Sequence, residues 1–210
     1  MNLGMNFERT LMTGTLIVAV ALAVFAAQPL PIAAPPAMAS QASNELFSEP
    51  DFERIAFQDA QGLSTNLAAT NGHVRLVTMF YSHCPGVCPA TVESLRNIEG
   101  MLTPLERRRL RVVMLSLDTA RDSSAALADF AAARQLDPQR WITGTPRATD
   151  LSTLSSGLGT TYEVQADGSI DHVSPIVLLA ADGRVLARWN RGAGRNTGFL
   201  QVLRAALAAS

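Results

Sequence analysis

The chain has 210 residues, 48% hydrophobic and 17% charged, and a formal net charge of -1. That length suits one domain plus an appendage, with enough apolar residues for a core that needs no covalent staple. The near-neutral balance excludes a nucleic-acid-binding surface, which requires a basic excess; the 17 basic residues are all arginine, a bias to which no function attaches.

Arg9 leads into an apolar run over residues 11–27, followed by a Pro/Ala-rich stretch to Ser40. Ala37-Met38-Ala39 is an A-x-A pattern, so cleavage before Ser40 makes residues 1–39 a secretory signal peptide with its linker. The run also reaches the lower edge of bilayer-spanning length, and an uncleaved membrane anchor is the competing reading. Either way the remainder is exported, to the periplasm or to the outer face of an inner membrane. No cysteine lies near this segment, which excludes attachment through a lipidated cysteine. Residues 40–49 read as a further linker and residues 50–210 as one domain.

Within that domain, residues 52–57 and the turn Asp59-Ala60-Gln61-Gly62 read as a hairpin-like lead-in. Residues 74–81 are a continuous apolar run of strand length, expected of a buried strand. Residues 90–101 carry Val92, Leu95, Ile98 and Met101 at helical spacing. The run from Glu106 to Arg111 reads as a solvated connection, and Met101 and Met114 as core. A second buried strand is expected over 111–118. Helices follow over 123–136, capped by Asp122 or Ser123, and over 149–158, capped by Thr149 or Asp150. Strands over 172–179 and 185–189 flank Ala181-Asp182-Gly183-Arg184, whose Asp-Gly pair marks a hairpin. An amphipathic helix runs from about 197 to 208. Strands separated by helices imply βαβ units, and the terminal hairpin adds antiparallel strands. The expectation is an α/β, thioredoxin-like fold: a central mixed sheet flanked by helices, with its ligand site at the carboxyl ends of the strands.

Two cysteines are present, Cys84 and Cys88, in Cys84-Pro85-Gly86-Val87-Cys88-Pro89. Exported thiols tend to pair, yet a domain with this much core has no need of a staple, so the pair reads as a site. Cys84 opens a loop and Cys88 falls near the first turn of a helix, where unpaired N–H groups and the helix dipole favour thiolate. Residues four apart share a helix face. Three intervening residues give a wider bite than the two of redox thioredoxins, which suits a bridging metal, and soft thiolates select Cu(I) or zinc. A disulfide remains geometrically open.

A third ligand must come from elsewhere, and the chain has three histidines. His73 sits in a turn, and His83, adjacent to Cys84, lines the site or raises its positive potential. His172 opens a strand on the far side of the expected cleft, where imidazole suits copper and Asp171 is placed to orient the ring.

The segment from Phe80 to Pro89 resembles the Cys-Pro-x-x-Cys-Pro signature of the Sco/SenC family of copper chaperones. The likeness continues through Leu115-Ser116-Leu117-Asp118, Arg121-Asp122, Trp141-Ile142-Thr143-Gly144, Asp171-His172 and Asp182-Gly183-Arg184. It implies a thioredoxin-like, exported or membrane-anchored protein that delivers copper to cytochrome c oxidase subunit II, or a similar copper protein, after loading from an upstream donor. The implied ligands are Cys84, Cys88 and His172, for Cu(I) and, through the imidazole, Cu(II). Asp118 matches the family's aspartate near the site and takes a supporting or partner-docking role. Two departures stand out: Gly86 replaces the aspartate usual between the cysteines, and Val173-Ser174-Pro175 follows the histidine where Ser or Thr is common. The alternative function is a thiol–disulfide oxidoreductase in which Cys84 attacks and Cys88 resolves, reducing the cysteines of a cuproprotein client. A peroxidase lacks a convincing activating Thr and Arg around Cys84.

Overall fold

The computed structural model describes residues 50–84, 87–190 and 197–210, and within these not the side chains of residues 50, 51 and 87–89. The apolar run over 11–27, its cleavage site and the linker lie outside the described residues. Among the described residues, no helix is long and apolar enough to cross a membrane.

The described chain opens with a short helix, α1 (Pro50–Glu53), then a hairpin of β1 (Phe57–Asp59) and β2 (Ser64–Thr65) turning at Gly62, which holds φ +78°. A 3-10 turn at Leu67–Thr70 leads to β3 (Val74–Phe80), every residue of which is buried. Burial of both alternating faces means that helices cover this strand on both sides. After the cysteine loop come α2 (Val87–Gly100), α3 (Pro104–Arg109), β4 (Leu110–Ser116), α4 (Ser124–Ala133) and β5 (Trp141–Pro146). A second 3-10 turn, Ala148–Asp150, runs into α5 (Leu151–Leu158). The chain ends with β6 (Thr161–Val164), β7 (Ile170–Val173), β8 (Ile176–Leu179), β9 (Val185–Trp189) and α6 (Thr197–Ala209).

Seven strands form one sheet in the order β2-β1-β5-β4-β3-β8-β9. β3, β4 and β5 are parallel, while β1, β8 and β9 add antiparallel neighbours at the two sides. The parallel centre places the C-terminal ends of β3, β4 and β5 together, and the loops that follow them, including the one carrying Cys84, share that end. β6 and β7 stand apart as a two-stranded ribbon.

Five expectations are corrected. Of the lead-in over 52–57, Phe52 and Glu53 end helix α1, residues 54–56 are irregular, and strand begins only at Phe57. The arginine run is α3, closed by a capping box in which Thr103 accepts from the Glu106 N–H and Glu106 reaches back to the Thr103 N–H at 2.7 Å. Met101, beyond the end of α2, is exposed rather than core, whereas Met114 is fully buried. The strand expected over 172–179 is broken: Ser174 and Pro175 separate β7 from β8, because proline has no N–H to continue the ladder. Finally, β5 and β6 were not anticipated. In β5, a Cβ at Gly144 would collide with the buried Phe57 ring from β1. That glycine is what lets β1 lie against β5.

Candidate metal centre

β3 delivers the chain to Tyr81 and a turn, in which the Cys84 N–H bonds the Tyr81 carbonyl at 3.3 Å. Cys84 is buried, with 7% of its surface exposed. Cys88 lies in the first turn of α2, as the spacing predicts, and its side chain is outside the described residues.

His172 is half-buried on β7, opposite Tyr162 in the ribbon. Its ring meets the Tyr81 ring edge-on, with centroids 5.6 Å apart. The structure therefore sets the histidine beside the residue that begins the Cys84 turn, although the two are far apart in sequence. His172 Nδ1 lies 3.1 Å from the Ile170 carbonyl. A carbonyl only accepts, so Nδ1 carries the proton and Nε2 of the neutral ring keeps its lone pair for a ligand. The ring is thus oriented by backbone. Asp171, expected to orient it, points elsewhere: adjacent strand residues alternate faces, and the Asp171 carboxylate takes a hydrogen bond from Gln165 Nε2 at 2.9 Å.

Beneath the cysteine loop lies a carboxylate whose role the sequence did not disclose. Asp122 is 1% exposed. It accepts from the Ser82 N–H at 2.9 Å and from the hydroxyls of Ser82 and Ser116, each at 2.5 Å. Ser82 gives its one hydroxyl proton to Asp122, so at the 2.8 Å contact with His83 Nδ1 the imidazole is the donor. His83 also stands 3.6 Å from the Asp122 carboxylate, and its side chain is largely in solvent. The positive potential expected of His83 is therefore partly offset by the aspartate behind it. The helix that Asp122 was a candidate to cap is capped instead by Ser123, whose hydroxyl accepts from the Ala126 N–H.

Asp118, at 6% exposure, is not a free docking carboxylate. Its N–H bonds Ser116 Oγ at 2.9 Å, and its side chain pairs with Arg121 Nε and accepts the Arg121 N–H at 3.1 Å. Arg121 continues to the Gly168 carbonyl at the tip of the β6–β7 ribbon, 2.5 Å from Nη2. His73 sits at the start of β3, the opposite end of the strand from Cys84. There burial, followed by the nearby Arg111, pushes its imidazole pKa down from 6.5.

Among the described residues, no three of His, Cys, Asp and Glu are grouped closely enough to hold a metal ion. The Cys88 thiol, one of the three donors expected, lies outside the described side chains.

The family model for SCO1/SenC matches residues 44–207. The chain belongs to the SCO1/SenC family. A protein of Stutzerimonas stutzeri described as copper-binding is 27% identical over 130 residues, which cover 60% of this chain and 61% of that relative. The chain thus spans about three-fifths of the length of that curated relative. Among solved structures, copper-bound ScoI of Arabidopsis thaliana superposes with a TM-score of 0.62 at 14% identity, covering 72% of this chain and 96% of that one. BsSco, a member of the Sco family of cytochrome c oxidase assembly proteins in which a disulfide switch was identified, superposes with a TM-score of 0.64 at 19% identity. It covers 78% of this chain and 98% of that one. At such identities the superpositions establish the mixed-sheet, thioredoxin-like fold of this SCO1/SenC member.

Within the SCO1/SenC chain, the residues most easily overlooked are Tyr81, Arg121 and Asp122. Each acts through partners distant in sequence: Asp122 and Ser82 are 40 positions apart, and Arg121 and Gly168 are 47. The available signal was indirect, namely the place of Tyr81 in the cysteine segment and of Arg121-Asp122 just beyond β4.

Proposed function

We propose that this protein is an exported copper chaperone that binds Cu(I) through Cys84, Cys88 and His172 and passes it to a thiolate acceptor by stepwise ligand exchange. The observation that carries this reading is the state of His172: Nδ1 is committed to the Ile170 carbonyl, Nε2 is left with its lone pair, and the ring stands against Tyr81 at the cysteine turn. Two thiolates and one neutral imidazole form a soft donor set, and copper is the cargo that set fits. The family membership and the copper-binding relative from Stutzerimonas stutzeri support the same metal. By resemblance the client is the copper centre of cytochrome c oxidase subunit II, with an upstream donor loading the site. The protein works in the periplasm or at the outer face of the inner membrane, and the segment ahead of residue 50 is its export signal or anchor. Cys84 is nearly shielded, so an acceptor thiolate gains access through the half-buried imidazole edge, displacing His172 before the sulfurs.

A second activity, reduction of a client disulfide by the same thiols, is favoured by the position of Cys88 in the first turn of α2, where thiolate is stabilised. The deciding experiment is Cu(I) titration of the reduced protein against a competing chelator, alongside His172→Ala. The expected result is one copper per chain, with affinity falling tenfold or more in the variant, about 1.4 kcal/mol. Binding indifferent to His172 would overturn the three-donor site and leave the reductase as the working function.

A further inference from the structure

We infer that Arg121 is a positioning residue that holds the His172 ribbon against Tyr81, where the Cys84 turn begins; the inference rests on the copper-site reading above. The β6–β7 ribbon is a sheet of its own, hydrogen-bonded to no strand of the main sheet. A two-stranded ribbon is only marginally stable alone, and no ladder fixes where it stands relative to β3. Two-residue links to α5 and β8 place its base, and side-chain contacts bear on how the rest of it stands. Ile170 is buried at its base, and the Ile170 N–H reaches Tyr81 Oη at 3.5 Å, the outer limit of a hydrogen bond. The edge contact between Tyr81 and His172 is a second hold. The third is the bond from Arg121 Nη2 to the Gly168 carbonyl, at 2.5 Å much shorter than the Tyr81 contact and charge-assisted.

The guanidinium is itself fixed. Its Nε pairs with the buried Asp118 carboxylate, whose backbone N–H is tied to Ser116 at the end of β4. One rigid planar fork thus spans from the C-terminal end of a central strand to the tip of the ribbon. Gly168 presents its carbonyl from a left-handed turn at φ +80°, and a Cβ there would sit 3.5 Å from Arg121 Nη1, so the turn is packed closely on the arginine. The Arg121 side chain is 46% exposed. A pair so open to water contributes little to global stability, and its effect lies in orienting the ribbon, hence the imidazole.

The test uses the full protein with Arg121→Ala and Arg121→Lys, each made with His172 present and with His172→Ala. In metal-free protein, amide exchange in residues 161–173 should quicken about tenfold in both variants while β3 and β4 are unchanged. Lysine keeps the charge but cannot bridge both partners. Cu(I) affinity should fall roughly fivefold when His172 is present and by less than about twofold in His172→Ala, the non-additivity expected of residues acting through one another. Unchanged ribbon exchange, or an equal loss of affinity in both backgrounds, would overturn the inference. If His172→Ala alone leaves copper binding unaltered, the copper-site reading fails, and ribbon exchange by itself then decides whether Arg121 is the latch.

Discussion

Asp122 shows what a single buried carboxylate does in this fold. With the Ser82 N–H and two hydroxyls converging on it, it satisfies donors from the loop after β3 and the end of β4 at once. Removing one partner of a buried network leaves the others desolvated and unpaired, at about 1–3 kcal/mol each. Asp122→Ala is therefore expected to lower unfolding free energy by about 3 kcal/mol, read as a reduced urea midpoint at constant slope. A change under about 0.5 kcal/mol, the usual range for surface positions, would show that the network is dispensable. The proposed ligand residues could be named because cysteine spacing and the place of a histidine in a motif are read directly from the chain. Asp122 was not, since an aspartate two residues before a helix reads as a cap, and its true partners become neighbours only after β3 and β4 pair.

Among the elements, those with strong periodicity were foreseen and those held by context were not. The core of β3, the helix beyond the cysteines and the Asp182-Gly183 turn follow from runs, helical steps and turn chemistry. The arginine run became α3 because Thr103 and Glu106 supply a capping box that outweighs its charge. β5 exists because β4 and β1 pair with it on either side. The end of α1 is held where it is by Glu53, which meets Arg75, a fully buried cation on β3, at 3.1 Å. Arg75 also donates to the carbonyls of Leu67 and Ala180, each at 2.8 Å. Burial depresses the Arg75 pKa, and Glu53 is the first charge opposing that shift. Glu53→Ala would leave a buried cation without its anion, and the expected loss is about 3–5 kcal/mol by denaturant unfolding. A loss below 1 kcal/mol would mean that the two carbonyls suffice.

For the molecule as a whole, pH acts in opposite directions at two carboxylates that share Arg140. Glu99 is buried, receiving bonds from Arg140 Nη1 at 2.7 Å and Trp141 Nε1 at 3.0 Å. Burial raises its pKa above 4.5 despite Arg140. Between 4.5 and the raised value the native state binds the proton more tightly than the unfolded chain, so this group's contribution falls as pH rises through that window. Asp137 is the reverse: the hydrogen bond from Arg140 leads in holding it below 3.8, so its contribution is present above 3.8 and lost as pH falls through the lower, folded value. In unfolding measurements across pH, the advantage of the parent over Glu99→Gln should shrink from pH 4.5 upward. That over Asp137→Asn should vanish only below pH 3.8. A parent advantage over Glu99→Gln that grows with pH would reverse the assignment.

The Glu53–Arg75 pair also gives the domain a direction. It fastens α1 to the second residue of β3, while the Cys84 turn leaves that strand's other end. The seven residues of β3, about 23 Å of extended chain, lie between them. Strain on the chain at α1 is therefore taken up at the foot of the sheet, one strand length away from the Cys84 turn at its head.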